Sequence, residues 1–286
     1  LNTDQVAAIE TRDLVVLGTA AIRAFSTTAV SALTTDQIVA IETKDVAVLT
    51  KVQLQALTTD QIVNLIADQL GSMSTSQVAS LKVAQVAALE TRDLLGMTTT
   101  QVAALTATQV KALKANQLQA LTTDQIQAIE TDDLASMTAT QVAAFASTQV
   151  RALSTTQLNA LTVAELNALS DTQLQALSTA QVSALSTTST AKLKSTQVAA
   201  LTTAQVAAMT TAQISALTAT AVTALGSNQL NAMTTAQVGA LTAAQVKALN
   251  TNTLVSLGTT QVAALTTSQV AGLSVAAVAG LSSTQL

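Results

Sequence analysis

Four pairs of carboxylates are the residues of this chain whose types and spacing could do chemistry. In each pair a Glu is followed three residues later by an Asp, and the eight side chains are Glu10, Asp13, Glu42, Asp45, Glu90, Asp93, Glu130 and Asp133. Two carboxylates on one helical turn supply the hard oxygen donors that calcium prefers. Asp4 and Asp36 precede two of the pairs and could add a further oxygen. The pairs are therefore candidate calcium ligands.

The same acids have a simpler explanation as helix caps. Carboxylates near a helix N-terminus stabilise it without any ligand, because they face free N–H groups and the positive end of the helix dipole. A basic residue, Arg12, Lys44 or Arg92, lies inside three of the pairs. We therefore favour ion-paired caps over calcium sites and predict no metal-binding residue.

Enzyme chemistry has little to build on in this composition. A glycoside hydrolase needs only two acids, but here the acid motif occurs in four near-copies with no unique loop around it. The chain has no His, Cys, Trp or Tyr, which removes zinc sites, thiol nucleophiles, disulfides and imidazole acid–base catalysis. We predict that the protein is not an enzyme and has neither catalytic residues nor a cofactor.

Charge and hydropathy limit the partners. The formal net charge of −4 is spread thinly, so there is no basic stripe of the kind that nucleic acids require. Polar residues interrupt every stretch, so no apolar run approaches the roughly 18 residues of a membrane-spanning helix. Charged residues make up only 10% of the chain, and a surface of that kind tends to associate with other copies of itself.

The elements that position these residues come from one repeated octapeptide. An apolar residue returns at every eighth position from Leu1 to Leu281, and the period continues without insertion or deletion to the last residue, Leu286. Position 1 is Leu, Ile, Met or Phe, position 6 is Val, Ile or Leu except at Thr190, and position 8 is usually small. We expect residues 1–286 to form one continuous array. Because it starts in phase and neither end carries a polar capping repeat, we expect it to be an internal fragment of a longer protein.

Each octad carries the signal for its own helix start. Position 2 is Ser or Thr in 22 of 36 octads, and position 5 is Gln in 25. Ser or Thr followed three residues later by Gln is the capping box, and apolar residues at positions 1 and 6, such as Leu201 and Val206, form the accompanying hydrophobic staple. The sequence therefore predicts an all-α solenoid, with one short helix over positions 3 to 8 of every octad.

Two other folds compete with the all-α solenoid. In one long helix, residues eight apart would drift about 80° per repeat and could form no apolar stripe. A β-solenoid is the remaining alternative, since Thr and Val favour strands. Against it, the octads lack period-two alternation, and the whole chain has only eight glycines for turns. Helices this short are not stable alone, so stacking of successive turns must hold them in a narrow superhelix.

Some octads depart from the consensus. Residues 185–192 have Ser189 and Thr190 in place of the Gln and the core Val, which predicts a weak coil. Phe25 and Phe145 stand at position 1 and are expected to be large core residues.

The octads at 201–208 and 177–184, LTTAQVAA and LSTAQVSA, resemble the repeats of very large bacterial surface proteins that carry adhesin, haemagglutinin or haem-utilisation names. The resemblance covers the whole chain and implies an extracellular or cell-surface location in a bacterium. The resemblance does not imply haem binding, because Met is the only possible axial ligand in this chain. Locally, residues 33–41, LTTDQIVAI, are similar to repeats of transcription-activator-like DNA-binding effectors. The period and charge of this chain differ, so DNA binding is not expected.

These observations favour a structural protein. We predict an extracellular fibre, sheath or adhesin stalk in which the solenoid packs laterally with other copies of itself. The alternative is a binding module that uses its repeated surface, with ranks of Thr at positions 2 and 3, to contact ice, a glycan or another cell.

Overall fold

The computed structural model describes residues 2–285. Within that range the chain forms 35 short α-helices, one in each complete octad, and no β-strand. This confirms the prediction of an all-α solenoid of very short capped helices, and the β-solenoid alternative is excluded.

The chain divides into two compact units, residues Leu1–Phe145 and Ala146–Leu286. The helices of the first unit are α1 (Thr3–Ala7), α2 (Thr11–Val16), α3 (Thr19–Arg23), α4 (Thr27–Ser31), α5 (Thr35–Ala40), α6 (Thr43–Val46), α7 (Lys51–Ala56), α8 (Thr59–Val63), α9 (Ala67–Gly71), α10 (Thr75–Ser80), α11 (Val83–Ala88), α12 (Thr91–Leu94), α13 (Thr99–Ala103), α14 (Ala107–Ala112), α15 (Ala115–Ala120), α16 (Thr123–Ala128), α17 (Thr131–Leu134) and α18 (Ala139–Ala143).

The second unit repeats the same element. Its helices are α19 (Ser147–Ala152), α20 (Thr155–Ala160), α21 (Val163–Leu166), α22 (Asp171–Ala176), α23 (Thr179–Ala184), α24 (Thr187–Ala191), α25 (Ser195–Ala200), α26 (Thr203–Ala208), α27 (Thr211–Ala216), α28 (Ala219–Thr223), α29 (Ser227–Ala232), α30 (Thr235–Gly239), α31 (Ala243–Ala248), α32 (Thr251–Val255), α33 (Thr259–Ala263), α34 (Thr267–Ala271) and α35 (Val275–Gly280).

Helix α26 shows how one octad folds. The Thr202 side chain accepts a hydrogen bond from the Gln205 N–H (3.2 Å), and Gln205 Oε1 accepts one from the Thr202 N–H (2.8 Å). Leu201 and Val206, the predicted staple pair, are both buried. The backbone at Leu201 and Thr202 is extended and makes the corner between helices. Across residues 2–285 no residue adopts a positive φ, so these corners need no glycine.

Within each unit, helices three apart along the chain pack on each other. In the first unit α8 contacts α11, which contacts α14, and in the second unit α23 contacts α26, which contacts α29. Residues at positions 1 and 6 of successive turns fill the interior, as Leu57 and Ile62 do. Phe145 is buried as expected, whereas Phe25 is only half-buried.

Candidate functional site

The most specific chemistry in the molecule is a buried glutamine that joins one turn to the preceding one. Gln61 closes its own capping box with Thr58, whose N–H donates to Gln61 Oε1 at 2.8 Å. Its other amide atom, Nε2, donates to the backbone oxygens of Val30 (2.9 Å) and Leu33 (2.7 Å). We call this arrangement the glutamine clasp: a position-5 Gln that caps its own helix and donates to carbonyls of the preceding turn.

The clasp recurs with one register in both units. In every case Nε2 donates to the carbonyl 28 residues earlier, and usually also to the one 31 residues earlier. In the first unit the clasps are Gln37, Gln53, Gln61, Gln69, Gln77, Gln85, Gln101, Gln109, Gln117, Gln125 and Gln141. In the second unit they are Gln181, Gln197, Gln205, Gln213, Gln229, Gln237, Gln245, Gln261, Gln269 and Gln285. A superhelical turn therefore takes between three and four octads.

Only an amide side chain at position 5 can both accept from its own cap and donate to the preceding turn. The carboxamide oxygen accepts from the cap N–H while the same group's NH₂ donates twice. A carboxylate can cap the helix equally well, but it has no proton to give to the preceding turn. This explains why position 5 is Gln in 25 octads and Glu only once, at Glu165. The capping-box prediction is confirmed, but the clasp was missed. The excess of Gln over Glu was the signal for it.

A second contact between turns runs in the opposite direction along the chain. Some polar side chains at position 7 donate to the carbonyl 25 residues later, as Gln55 does to Ser80 (2.8 Å) and Gln175 to Ala200 (2.9 Å). These side chains are more exposed than the clasp, and few octads have them. They reinforce the stacking that the clasp sets.

Acids replace the clasp glutamine in a few octads and are buried there. Asp45, Asp93 and Glu165 are at most 2% exposed, and Asp133 is 8% exposed. Burial raises the pKa of all four carboxyls, because removal from water destabilises the charged form. The helices that carry them, α6, α12, α17 and α21, are each four residues long, the shortest among the described residues.

The candidate calcium ligands lie within these acidic octads. Arg12 pairs with Glu10 (2.8 Å), Arg92 pairs with Glu90 (3.1 Å), and Lys44 pairs with Glu42. Among residues 2–285, no group of three or more His, Cys, Asp or Glu side chains is placed to hold a metal ion. The three ion pairs are present, but the Glu side chains at these N-caps make no capping hydrogen bond.

The position-5 members of the pairs are not equivalent. Asp13 is exposed, whereas Asp45 and Asp93 each have a buried carboxylate oxygen without a hydrogen-bond partner. Asp4 and Asp36 are exposed on the surface of their helices. The structure thus separates one surface acid from the acids that face the neighbouring turn.

The octad at 185–192 lacks the clasp but retains its helix. The Ser186 hydroxyl accepts from the Ser189 N–H at 3.1 Å. Thr190, at the core position, is buried, and its hydroxyl donates to the Ser186 carbonyl at 2.9 Å. The hydroxyl is therefore satisfied within its own helix, and nothing in this octad forms a catalytic arrangement.

Fold and clasp together define the class of protein, an α-helical solenoid of octapeptide repeats. Residues 200–205 read ALTTAQ, which combines the core Leu, the capping Thr and the clasp Gln. The chain belongs to the ALTTAQ repeat family, whose model matches most of its length. The matches are at residues 6–43, 38–75, 86–123, 126–163, 158–187, 191–219, 222–251 and 243–275. No curated protein matches the chain.

No helix among residues 2–285 combines the length and the apolar character that crossing a lipid bilayer requires.

Proposed function

We propose that the chain is a structural protein, a spacer in an extracellular fibre, sheath or adhesin stalk of a bacterium. The observation that carries this proposal is the constant register of the glutamine clasp. Because each clasp joins equivalent atoms of neighbouring turns, every turn repeats the same nearest-neighbour contact. A unit of that kind is suited to spanning distance with a constant cross-section.

Lateral packing with other copies is the second part of the proposal. The exposed helix faces carry small uncharged side chains at positions 3 and 4, such as Thr203 and Ala204, Thr211 and Ala212. Small side chains lose little conformational entropy when they are covered. The net charge of −4 over 286 residues gives little repulsion between copies. These properties favour side-by-side association.

The cell-surface location and the absence of catalysis are part of the same proposal. The resemblance of the octads to repeats of bacterial surface proteins supports export. The composition, without His or Cys, supports a role that needs neither cofactor nor active site. Adhesion is a property we assign to the assembled fibre and its contacts with cells.

Electron microscopy of the purified chain tests the structural role. We expect filaments or bundles of constant width whose formation depends on protein concentration. Replacing three exposed threonines with lysine (Thr203→Lys, Thr211→Lys and Thr235→Lys) should abolish bundling, because it places positive charge on the faces that meet. Circular dichroism should show unchanged helix content.

The matched control replaces the same threonines with serine, which keeps a small uncharged side chain. It should bundle like the wild type. A wild-type chain that stays monomeric by analytical ultracentrifugation at all concentrations would contradict self-assembly.

A binding module is the second candidate, and exposed threonines favour it. Position-3 side chains such as Thr35, Thr59 and Thr123 are exposed, so they repeat a hydroxyl and a methyl group on the surface. Ice or a glycan could be contacted by such a series. Thermal hysteresis or glycan binding by a monomeric chain, lost when these threonines are changed to lysine, would favour this function over the fibre.

A further inference from the structure

Asp93 occupies a place between turns that is otherwise built for a hydrogen-bond donor. It stands at the clasp position of its octad, is 2% exposed, and its Oδ2 is buried without a partner. Asp45 repeats the situation with its Oδ1. Both are acidic groups that neither the spacer role nor helix capping uses.

The register of the neighbouring clasps identifies what Asp93 faces. One octad earlier Gln85 donates to Leu54 and Leu57, and one octad later Gln101 donates to Leu70 and Met73. From these offsets we infer that the acceptors opposite Asp93 are the carbonyl oxygens 31 and 28 residues earlier, those of Ile62 and Leu65.

The backbone comes closer here, which suits a side chain one methylene shorter than Gln. Position 8 of this octad is Gly96, and a Cβ there would collide with the carbonyl oxygen of Ala67 in α9. A Cβ on Gly71, at the end of α9, would lie 2.7 Å from the Gly96 oxygen. Glycine at both places permits α9 and α12 to approach closely, so the shorter Asp can take the place of the clasp.

The charges around Asp93 do not replace the missing donor. On its own helix Glu90 raises and Arg92 lowers the pKa of Asp93, while burial raises it most. Arg92 Nε lies 3.4 Å from Oδ1 and leaves Oδ2 unpaired. The packed helices carry Asp68 on α9 and Lys114 at the cap of α15, and neither is among the groups that shift it.

Asp45 has the same kinds of neighbours. Lys44 lowers and Glu42 raises its pKa, and burial again has the largest effect. The helices packed on α6 are α3, with Arg23, and α9, with Asp68.

We propose that Asp93 is a proton-operated clasp: its carboxyl binds a proton from the solvent, and the resulting O–H donates a hydrogen bond to a carbonyl oxygen of the preceding turn. Ionised, Asp93 places a carboxylate against carbonyl oxygens and repels them. Protonated, its carboxyl has a donor of the kind that Gln supplies elsewhere. No bond other than the O–H forms, and no co-reactant is needed. The first unit would therefore hold its turns together more tightly in acid than at neutral pH.

The direction of the pH effect follows from linkage. Burial raises the pKa of Asp93 in the folded chain above its ordinary value of 3.8, so the folded state binds the proton more strongly than the unfolded state does. The stabilisation is complete below the ordinary value and is lost as pH rises through the raised folded value.

Carboxyl titration by NMR and thermal melting test the proposal. The Asp93 side-chain carbon should titrate at a pH above the ordinary aspartate value of 3.8. The Asp93→Asn variant carries a permanent donor of the same size. It should melt about 2–4 °C above the wild type at pH 7.5, and the difference should close at pH 4. Asp45→Asn should gain less, because its octad has Val48 where the Asp93 octad has Gly96.

Asp36→Asn is the matched control, because it removes one exposed carboxylate and changes the net charge equally. It should leave the pH dependence as in the wild type. The proposal is overturned if Asp93 titrates at or below the ordinary value of 3.8, or if Asp93→Asn and Asp36→Asn behave alike. It is also overturned if calcium chloride at pH 7.5 stabilises the wild type but not Asp93→Asn, since the place would then hold a cation.

Discussion

The octads at residues 185–192 and 201–208 both cap their helix with a position-2 hydroxyl, but only the second reaches back to the preceding turn with its position-5 side chain. The first is joined to that turn by the Ser186 N–H, which donates to Asn159 Oδ1 at 2.9 Å. Ser186 and Thr202 both accept from the N–H three residues later, at 3.1 and 3.2 Å. At position 5, Gln205 donates to Leu174 and Leu177, whereas the Ser189 hydroxyl bonds with Ser186 in its own octad. The position-2 hydroxyl therefore acts in helix initiation alone, whereas the position-5 glutamine both accepts from the cap N–H and links the turns.

This separation explains how the octad tolerates variation. A change at position 5 leaves a helix in place but removes its link to the neighbouring turn and the bond that the glutamine accepts from the cap N–H. The acids at that position follow the same rule, since α12 still forms with Asp93 at its third residue. The solenoid can therefore contain weak or titratable joints without losing its period.

Removing a clasp should have the largest effect. Gln205→Ala deletes two buried hydrogen bonds, to Leu174 and Leu177, and one partly buried bond from the Thr202 N–H, and it leaves these partners without them. We expect a loss of about 3 kcal/mol in the free energy of unfolding, measured by urea denaturation of the chain.

Gln5 supplies the control for that experiment. It makes the capping bonds with Asn2, and no earlier turn lies within the described residues. Gln5→Ala should cost no more than about 1 kcal/mol. Equal losses from the two variants would show that capping, and not the link between turns, makes Gln necessary.

Restoring the clasp to the weak octad should act in the opposite direction. The neighbouring clasps Gln181 and Gln197 reach Leu153 and Leu169, so a glutamine at position 189 would reach the carbonyl of Leu161. We expect Ser189→Gln to stabilise the chain by about 1 kcal/mol. Hydrogen exchange should show slower opening of α24.

The control is Ser189→Asn, whose amide is one methylene too short for the same register. It should give no gain. If Asn stabilises as much as Gln, the added amide acts within its own octad and the comparison between the two octads is wrong.

Removing a cap should cost less than removing a clasp. Thr202→Ala loses the hydroxyl that accepts from Gln205 N–H, which is worth about 1 kcal/mol at a helix N-terminus. Thr202→Ser keeps the hydroxyl and should behave as the wild type in the same urea titration. A loss from Thr202→Ala as large as that from Gln205→Ala would contradict the division of roles.

Most of the local structure could be predicted from one octad. Thr202 with Gln205 indicated the helix start, and Leu201 with Val206 indicated the core, because both signals operate over a few residues. The 28-residue register could not be predicted, since it depends on how closely complete turns stack. No residue type marks that distance in the sequence.

The candidate site was predicted in part for the same reason. The ion pairs of Glu42 and Glu90 follow from local spacing and are present. The burial of Asp45 and Asp93 arises from the neighbouring turn, which local spacing does not reveal. Their position gave the clue, because each Asp replaces a Gln that is otherwise nearly constant.

The smallest effect should come from a contact that stays on the surface of a single octad. Arg12 lies 2.8 Å from Glu10, but their side chains are 77% and 64% exposed, so water and salt screen the pair. Arg12→Gln should leave the melting temperature unchanged at low and at high salt. A drop in melting temperature comparable to that of Gln205→Ala would contradict this expectation. It would mean that ion pairs at the caps hold the turns together, although Arg12 and Glu10 lie within one octad.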